Sequence, residues 1–198
     1  FLIPFSDRDR DYSSGFCMFK GIGDKIVYCD FPDSQEEFIV ELPDEYSSVN
    51  VEITILDVYT GSKWDETCIS EVKVYEKADT SVVSEVMSSI GKVVEKNSSK
   101  LTLVSGEFNA PLVTYTKVNA SSAEATSTIS QSGIDNSPMV LFDGDETTSW
   151  QEGVGGAGIG ERIRLDFDDT YRVKYLSLQL GNWKSSDSYV QNHRPSCL

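Results

Sequence analysis

The sequence predicts an all-β fold, an antiparallel β-sandwich built from many short strands. Apolar and polar residues alternate over 49–55, 163–167 and 176–180, which is the two-residue period of a half-buried strand. Turn-forming triplets separate such stretches: PDS at 32–34, PDE at 43–45, TGS at 60–62 and DGD at 143–145. Short alternating strands with frequent turns are typical of antiparallel sandwiches.

The remaining elements are weaker, apart from one helix. Shorter strands are expected at 37–42, 72–74 and 101–105. Between Asp79 and Lys96, apolar residues recur at helical spacing, which predicts a helix over about 79–96. Asp79 or Thr80 can cap its start, and the polar run 97–99 ends it. We interpret this helix as a connector.

The charge of the chain disfavours two classes of partner. Its 198 residues include 17 Lys and Arg against 32 Asp and Glu, a formal net charge of −15. Nucleic acids and anionic membranes recruit positive charge, so neither is expected as a partner. No run approaches the roughly 18 apolar residues of a membrane span, so direct membrane insertion is not expected. The composition suits an extracellular or cell-surface protein that binds a metal or a neutral ligand.

The cysteines do not form a zinc motif. Cys17, Cys29, Cys68 and Cys197 show no CxxC spacing, and His193 is the single histidine. An even number of cysteines permits two disulfides, while buried free thiols are the other possibility.

Two blocks of sequence resemble a known family. The first reads DGDETTSW at 143–150 and EGVGGAGIGE at 152–161, and it continues through 181–185 to YVQNHRP at 189–195. The second reads DVYTGSKWDETCISE at 57–71. Together they resemble a discoidin-like (coagulation factor 5/8 type C) domain, of the branch attached to bacterial NAD glycohydrolases. The resemblance implies a jelly-roll β-sandwich that binds glycans on a secreted or surface bacterial protein.

The two blocks stand in reversed order. The part that ends the family's domain comes first here, at 1–76, and the part that opens it comes last, at 112–198. We therefore expect one circularly permuted domain, with 77–111 as a helical connector, because domain ends commonly lie close together. The alternative is two half-domains, each completed by a second molecule through swapping. The chain is thus expected to be a monomer or a domain-swapped dimer.

The DGD turn is a candidate calcium site. Asp143, Asp145 and Thr147 place two carboxylates and a hydroxyl on one tight turn, and Ca²⁺ prefers six to eight such oxygen ligands. The resemblance adds Glu71 as a ligand from a distant strand. The alternative is an Asx turn, in which the aspartates only cap backbone amides.

A second group of residues has the chemistry of sugar recognition, which uses aromatic faces, carboxylates, amides and guanidinium groups. The candidate ligand-binding residues are Glu152, Tyr59, Trp64, Asp65, Tyr189, Asn192 and Arg194. Arg194 could instead pair with Glu161 or Asp65 and lock the loops together. Trp150 is expected to be buried, as large aromatic side chains usually are.

No enzymatic pattern stands out. The run 153–160 is rich in glycine but lacks the GK[ST] ending of a phosphate-binding loop. Carboxylate pairs such as Glu152 with Glu161 arise readily by chance in so acidic a chain. We expect a non-catalytic carbohydrate-binding module, with possible structural Ca²⁺ and a glycan or glycoprotein as partner. The alternative is a calcium-stabilised protein–protein interaction or adhesion module that uses the same loops.

Overall fold

The computed structural model describes residues 2–3, 20–22, 25–77 and 115–198. The predicted helix at 79–96 and the predicted strand at 101–105 lie outside the described residues. The strands are β1 (Leu2–Ile3), β2 (Lys20–Ile22), β3 (Lys25–Ile26), β4 (Phe38–Thr54), β5 (Asp57–Tyr59), β6 (Cys68–Lys77), β7 (Tyr115–Val118), β8 (Ser122–Ala125), β9 (Trp150–Gln151), β10 (Arg162–Leu180) and β11 (Arg194–Cys197). A 3₁₀ helix spans Pro138–Phe142, and the short helix α1 spans Ser186–Gln191.

The described chain is all-β, as predicted. A seven-stranded sheet has the order β1-β4-β10-β6-β7, with β8 added to β10 and β9 added to β6. Apart from the parallel pair of β1 and β4, its pairings are antiparallel. Two smaller two-stranded sheets join β11 to β5 and β2 to β3.

Strand β10 joins the two ends of the sequence. Its first half pairs with the end of β4, with Ile163 opposite Ile53 and Leu165 opposite Val51. Its second half lies between the start of β4 and β6, so that Leu176 is opposite both Val40 and Val74. Residues from the second half of the chain therefore pair with strands from the first 76 residues within one sheet.

The core follows from the alternation seen in the sequence. Because successive side chains of a strand point to opposite faces, every second residue of β4 and of the first part of β10 enters the interior. Residues 68–72 of β6 and 175–180 of β10 are buried on both faces. Leu165, Leu176 and Val72 are fully buried, and they belong to one apolar cluster that extends from Val27 to Leu198. Complete burial of such an aliphatic side chain contributes about 1.5–3 kcal/mol to folding.

The predicted turn at 43–45 is wrong. The two strands expected at 37–42 and 49–55 form the single strand β4, which continues through Pro43. The register between β4 and β10 shifts here, between Val173 and Tyr175, so a bulge accommodates the proline that cannot donate a ladder hydrogen bond. Alternation alone does not reveal that two short strands are continuous.

The cysteines are in different states. Cys29 and Cys68 are buried free thiols, and burial raises the pKa of the Cys29 thiol to about 12. Cys197 is disulfide-bonded.

Candidate functional site: a surface depression beside a carboxylate loop

The loop after β5 is fixed against α1 by backbone hydrogen bonds. The Trp64 amide donates to the Gln191 carbonyl (2.9 Å), and the Ser62 amide donates to that of Val190 (3.0 Å). A Cβ on Gly61 would lie 2.4 Å from the Gln191 carbonyl oxygen, so only glycine permits this approach. Since a carbonyl only accepts, the His193 ring donates from Nδ1 to the Trp64 carbonyl (2.8 Å). The backbone of Trp64 is therefore held from two sides.

The side chain of Trp64 stands at the edge of a surface depression of about 560 Å³. The indole is 47% exposed, and the Lys63 ammonium lies 4.4 Å from its ring centroid. Side chains from four separate segments complete the walls of this Trp64 depression: Glu66, Gln131, Ile134, Asp135, Asn136, Thr147, Thr148, Ser149, Gln151, Asn182, Lys184, Ser188, Gln191 and Asn192, with Gly133. The lining combines two exposed apolar side chains, Trp64 and Ile134, with six amides.

Several of these amides are already oriented by hydrogen bonds. Asn136 donates from Nδ2 to Gln131 Oε1 (3.2 Å), and Gln151 donates from Nε2 to Ser149 Oγ (3.3 Å). Asn182 Oδ1 accepts from the Lys184 amide (3.2 Å), and Asn192 Nδ2 donates to the Ser188 carbonyl (2.8 Å). Each amide retains at least one further donor or acceptor atom for a ligand.

Three of the predicted ligand residues lie elsewhere, in a partly buried cluster with Asp33 that we term the Arg194 lock (Asp33, Tyr59, Tyr189 and Arg194). Arg194 donates from Nε and from one terminal nitrogen to the two Asp33 carboxylate oxygens, both at 2.5 Å. Its guanidinium lies 4.9 Å from the Tyr189 ring centroid and 5.8 Å from that of Tyr59. The Tyr59 hydroxyl donates to the Phe31 carbonyl (2.9 Å).

The Arg194 lock joins distant segments of the chain. The hydrogen bonds that the Arg194 guanidinium donates to Asp33 raise its pKa, and burial raises the pKa of Tyr189 to about 12. Arg194 does pair with an internal carboxylate and lock loops together, as the alternative interpretation held, but its partner is Asp33 and neither Glu161 nor Asp65. Glu161 accepts from the Thr126 hydroxyl (2.6 Å), and Asp65 is exposed beside Trp64 without lining the depression. The lock therefore closes residues 31–33 over β5 and β11.

Glu152 is also placed away from the depression. Its side chain is fully buried, with Oε1 accepting from the Thr67 amide (3.3 Å) and Oε2 from the Val154 amide (2.7 Å). Burial raises the pKa of this carboxyl. A Cβ on Gly158 would lie 2.5 Å from Glu152 Cγ, so the glycine-rich loop 153–160 closes directly over the side chain. Glu152 therefore holds the loop 153–160 in place. Trp150, two residues earlier, is fully buried, as predicted.

The loop at residues 143–148 is closed by its own side chains. Asp143 Oδ1 accepts from the Asp145 amide (2.7 Å), and Asp145 Oδ1 accepts from the Thr147 amide (2.9 Å) and hydroxyl (2.6 Å). The Thr148 hydroxyl contacts Asp143 Oδ2 (2.9 Å) and the Asp145 carbonyl (2.8 Å). Gly144 takes a positive φ of 78°, and its amide donates to Glu71 Oε1 (2.9 Å). These are the contacts of an Asx-type turn.

A second cavity, of about 440 Å³, lies between this loop and the sheet. We term it the Glu71 cavity; its lining residues are Glu71, Lys73, Gly144, Asp145, Glu146, Thr147 and Gln179. Glu71 is 2% exposed and its Oε2 has no hydrogen-bond partner among the described residues, and neither does the buried Gln179 Oε1. Burial raises the pKa of Glu71, while the Thr147 hydrogen bonds lower that of Asp145.

These oxygens fit a hard cation only as a mixed ligand set. Within the described residues, no group of three or more His, Cys, Asp or Glu side chains is placed to hold a metal ion. Calcium also accepts hydroxyl and carbonyl oxygens, however, and the unpartnered Glu71 Oε2 is an orphaned buried acceptor beside the loop. Glu71, Asp143, Asp145 and Thr147 would hold the ion, with Thr148 as the hydroxyl that the sequence pattern did not identify.

Most residues that line the Trp64 depression were not predicted from the sequence. Only Trp64 and Asn192 among the predicted ligand residues line it. Gln131 and Asn136 lie on one loop and Gln151 ends strand β9, and no sequence motif marks any of these amides. Asn182 and Lys184 lie in 181–185, where the family resemblance was a usable signal.

The described residues form an all-β module of the sandwich class. Residues 114–197 match the family model described as the NAD glycohydrolase translocation F5/8 type C domain, which confirms the resemblance over that segment. The match covers less than half of the chain. The family is a translocation domain and not a catalytic one.

Neither a curated protein nor a solved structure gives a significant match to the chain. In the part of the chain that the structure describes, no helix has the length and apolar character needed to cross a membrane.

Proposed function

We propose that this protein is a non-catalytic glycan-binding module of a secreted or cell-surface protein, and that it binds its ligand in the Trp64 depression. One observation carries the proposal: an exposed indole with a fixed backbone faces a depression lined by six side-chain amides. Sugars present C–H faces and hydroxyl groups at the same time. An aromatic face and a ring of amides complement both.

The expected ligand is a neutral sugar. Amides both donate and accept, so they pair with hydroxyl groups in either direction. The net charge of −15 disfavours a polyanionic glycan. The lining of the depression itself carries two carboxylates, Glu66 and Asp135, against the one ammonium of Lys184, which also disfavours an anionic ligand. For one or two sugar units we expect a dissociation constant between about 1 mM and about 1 μM, or roughly 4–8 kcal/mol.

A calcium ion is the proposed structural partner of the 143–148 loop. The unpartnered Glu71 Oε2 supports this proposal, because a buried acceptor without a donor is costly unless a cation or proton satisfies it. If calcium binds only the folded state, a concentration of 100 times its Kd adds about 2.7 kcal/mol to stability. Differential scanning calorimetry before and after chelation measures this, and an unchanged melting temperature would favour a simple Asx turn.

We further propose that residues 1–76 and 112–198 form one discoidin-like unit with its halves in permuted order. The pairing of β10 with β4 and β6, and the apolar cluster that contains residues from both segments, support it. Because these contacts form within one chain, light scattering should give a monomer. A stable dimer would favour the swapped arrangement instead. The disulfide-bonded Cys197 suits a location outside the cytosol.

A glycan array, run with calcium and then with chelator, is the experiment that tests the proposed function. We expect binding to neutral glycans by the wild type and by Ile159→Ala, which truncates an exposed apolar side chain outside the depression. Trp64→Ala should lose the same glycans while keeping its melting temperature. An array without hits under either condition would reject glycan binding and favour a protein partner.

A further inference from the structure

The turn at residues 131–134 forms part of the wall of the Trp64 depression. The Ile134 amide donates to the Gln131 carbonyl (3.3 Å), and Gly133 has a positive φ of 78°. A positive φ at the third of the four residues is characteristic of a type II β-turn, and glycine is favoured there. The Ile134 side chain lines the depression and is 54% exposed. The backbone of the turn therefore fixes an exposed apolar group at the depression.

Two amide side chains of the same segment are joined to each other. Asn136 donates from Nδ2 to Gln131 Oε1 (3.2 Å). This bond leaves Gln131 Nε2 as a donor and Asn136 Oδ1 as an acceptor. If oxygen and nitrogen are exchanged in both amides, the residues exchange roles, and a donor and an acceptor still remain. We term Gln131 and Asn136 the amide pair; it complements a ligand group that carries one N–H and one C=O.

Ile134 has no counterpart on an unsubstituted hexose. The C–H face of such a sugar is matched by the Trp64 indole, and its other exposed groups are hydroxyls. A second apolar side chain, on a separate segment, complements a second apolar group of the ligand. The depression has a volume of about 560 Å³, within the range of about 300–1,000 Å³ of small-molecule sites, so it has room for a sugar ring with a substituent.

An acetamido substituent matches both features of the segment. It consists of a methyl group attached directly to a secondary amide. Ile134 lies between Gln131 and Asn136 in the sequence, so the segment likewise offers an apolar contact beside a donor and an acceptor. The methyl group of a deoxy sugar would match Ile134 alone and would leave the amide pair to water.

The charges that line the depression disfavour an acidic substituent. Glu66 and Asp135 repel a carboxylate or a sulfate. Asp135 accepts from the Ser137 amide (2.9 Å), which lowers the pKa of its carboxyl and keeps it ionised. An unacetylated amino sugar is attracted by these carboxylates, but it lacks both the methyl group and the C=O. It is therefore the competing ligand that the experiment has to include.

We propose that residues 131–136 form a subsite for the acetamido group of an N-acetylated sugar, with its methyl group against Ile134 and its amide bonded to Gln131 and Asn136. This inference rests on the proposed glycan-binding function and names the ligand class of the same site. The ring of the same sugar lies against Trp64.

The test compares methyl glycosides that differ only at C2: N-acetylated amino sugar, free amino sugar and plain hexose, each in the gluco and the galacto configuration. Each is titrated into the wild-type protein and followed by NMR. We expect the acetylated sugar to bind about 10-fold more tightly than the hexose, the lower end of what one matched methyl group contributes to discrimination. Saturation-transfer difference spectra should give the acetyl methyl group the strongest signal.

Matched variants separate the apolar contact from the amide contact. Ile134→Ala should lower the preference for the acetylated sugar by about 4-fold, the factor for one buried methyl group, and leave the affinity for the hexose unchanged. Ile159→Ala makes the same truncation at an exposed residue outside the depression and should change neither. Gln131→Glu replaces the donor of the amide pair by an acceptor and should lower the same preference. Gln35→Glu, at an exposed position outside the depression, should not.

The possible failures of the inference and of the proposed function are distinguishable. Equal affinity for the acetylated sugar and the hexose would overturn the inference and leave glycan binding intact. Tightest binding of the free amino sugar would also overturn it and would assign the specificity to Glu66 and Asp135. An unchanged preference in Ile134→Ala, or array hits confined to glycans without an N-acetylated sugar, would do the same. If neither these sugars nor any glycan on the array binds, the proposed function fails as well.

Discussion

The Trp64 depression and the Arg194 lock contain similar residue types, yet they differ in what their atoms are free to do. Both combine aromatic rings with a cationic side chain. In the lock, Arg194 is 8% exposed and its guanidinium is committed to Asp33 and two rings. In the depression, Trp64 is 47% exposed. Asn136, Gln151, Asn182 and Asn192 are about as buried as Arg194, but each keeps a donor or acceptor beyond the hydrogen bonds described above. Hydrogen-bond saturation and the exposure of the aromatic ring, more than residue type, separate a structural cluster from a binding surface.

Disrupting the lock should have the largest effect on stability. Asp33→Asn keeps the shape of the side chain but leaves the Arg194 guanidinium, whose side chain is 10% exposed, without its charged partner. Breaking a buried pair costs about 3–5 kcal/mol and breaking an exposed pair about 0–1 kcal/mol. We expect about 2 kcal/mol, because Arg194 is buried while solvent screens the 41% exposed Asp33 side chain. Urea unfolding measures the loss.

The control for this variant is Arg164→Ala. It removes a surface pair with Asp166 in which Arg164 is 51% exposed, and it should cost about 0–1 kcal/mol. Equal losses for the two variants would mean that Arg194 is solvated and available to a ligand after all.

The next effect concerns Glu152. Glu152→Gln leaves one buried backbone amide facing an NH₂ group, and an unsatisfied buried donor costs about 1–3 kcal/mol. Glu36→Gln, at an exposed position, should stay within about 0.5 kcal/mol. Thermal unfolding of both variants makes the comparison. If Glu152→Gln is as stable as the wild type, Glu152 is not required for the fold and is again a candidate ligand-binding residue.

The same pair of variants tests the pH dependence. Because burial raises the pKa of Glu152 in the folded state, folding favours the protonated form, and the wild type loses stability as pH rises from about 4.3 through the folded pKa. The glutamine of the variant does not titrate. The stability advantage of the wild type over Glu152→Gln should therefore be largest at low pH and should decrease as the pH rises through the folded-state pKa of Glu152. A difference that grows with pH would contradict this sign.

Gly61 links the depression to the rest of the domain and should show a mixed effect. Gly61→Ala forces α1 away from the Trp64 loop, since the new Cβ would meet backbone atoms at 2.4 Å. Overpacking of this kind costs about 1–3 kcal/mol, and it also displaces Trp64. Gly155→Ala is the matched control, with nothing within 4 Å of its Cβ. Loss of glycan binding in Gly61→Ala but not in Gly155→Ala is the expected result on the array.

Trp64→Ala should have the smallest effect on stability and a clear effect on binding. The ring is exposed, so we expect a stability change within about 0.5 kcal/mol. Truncation of an aromatic residue central to binding commonly costs more than about 1 kcal/mol. Calorimetric titration with a glycan from the array measures this, and an unfolded variant would make Trp64 structural.

The sequence predicted the strands better than their connections. Alternation of apolar residues located the middle of β6 and both ends of β4 and of β10, because burial of one face imposes a two-residue period. It predicted separate strands at 163–167 and 176–180, where the structure has the single strand β10. It could not predict that a bulge carries β4 through Pro43. Strand β8, with the sequence SAEA, offers no large apolar side chain to reveal its period.

Prediction of the site was limited for a different reason. Sequence motifs suggested which residue types lie on the loops. Of the ligand residues predicted in this way, Trp64 and Asn192 line the depression. They could not show that Asp33, outside both motif blocks, saturates Arg194. Nor could they show that the loop 153–160 closes over Glu152. Both outcomes depend on contacts between residues distant in sequence.

A crystal structure of the protein with an array-selected glycan tests the central claim most directly. We predict that the sugar ring lies against the exposed face of Trp64, with its hydroxyl groups bonded to amides such as Gln151 and Asn136. The Arg194–Asp33 pair should be unchanged from the ligand-free protein. A sugar bound instead by Arg194, Tyr59 and Tyr189, with Asp33 displaced, would contradict the assignment of the depression as the binding surface and of the lock as structure.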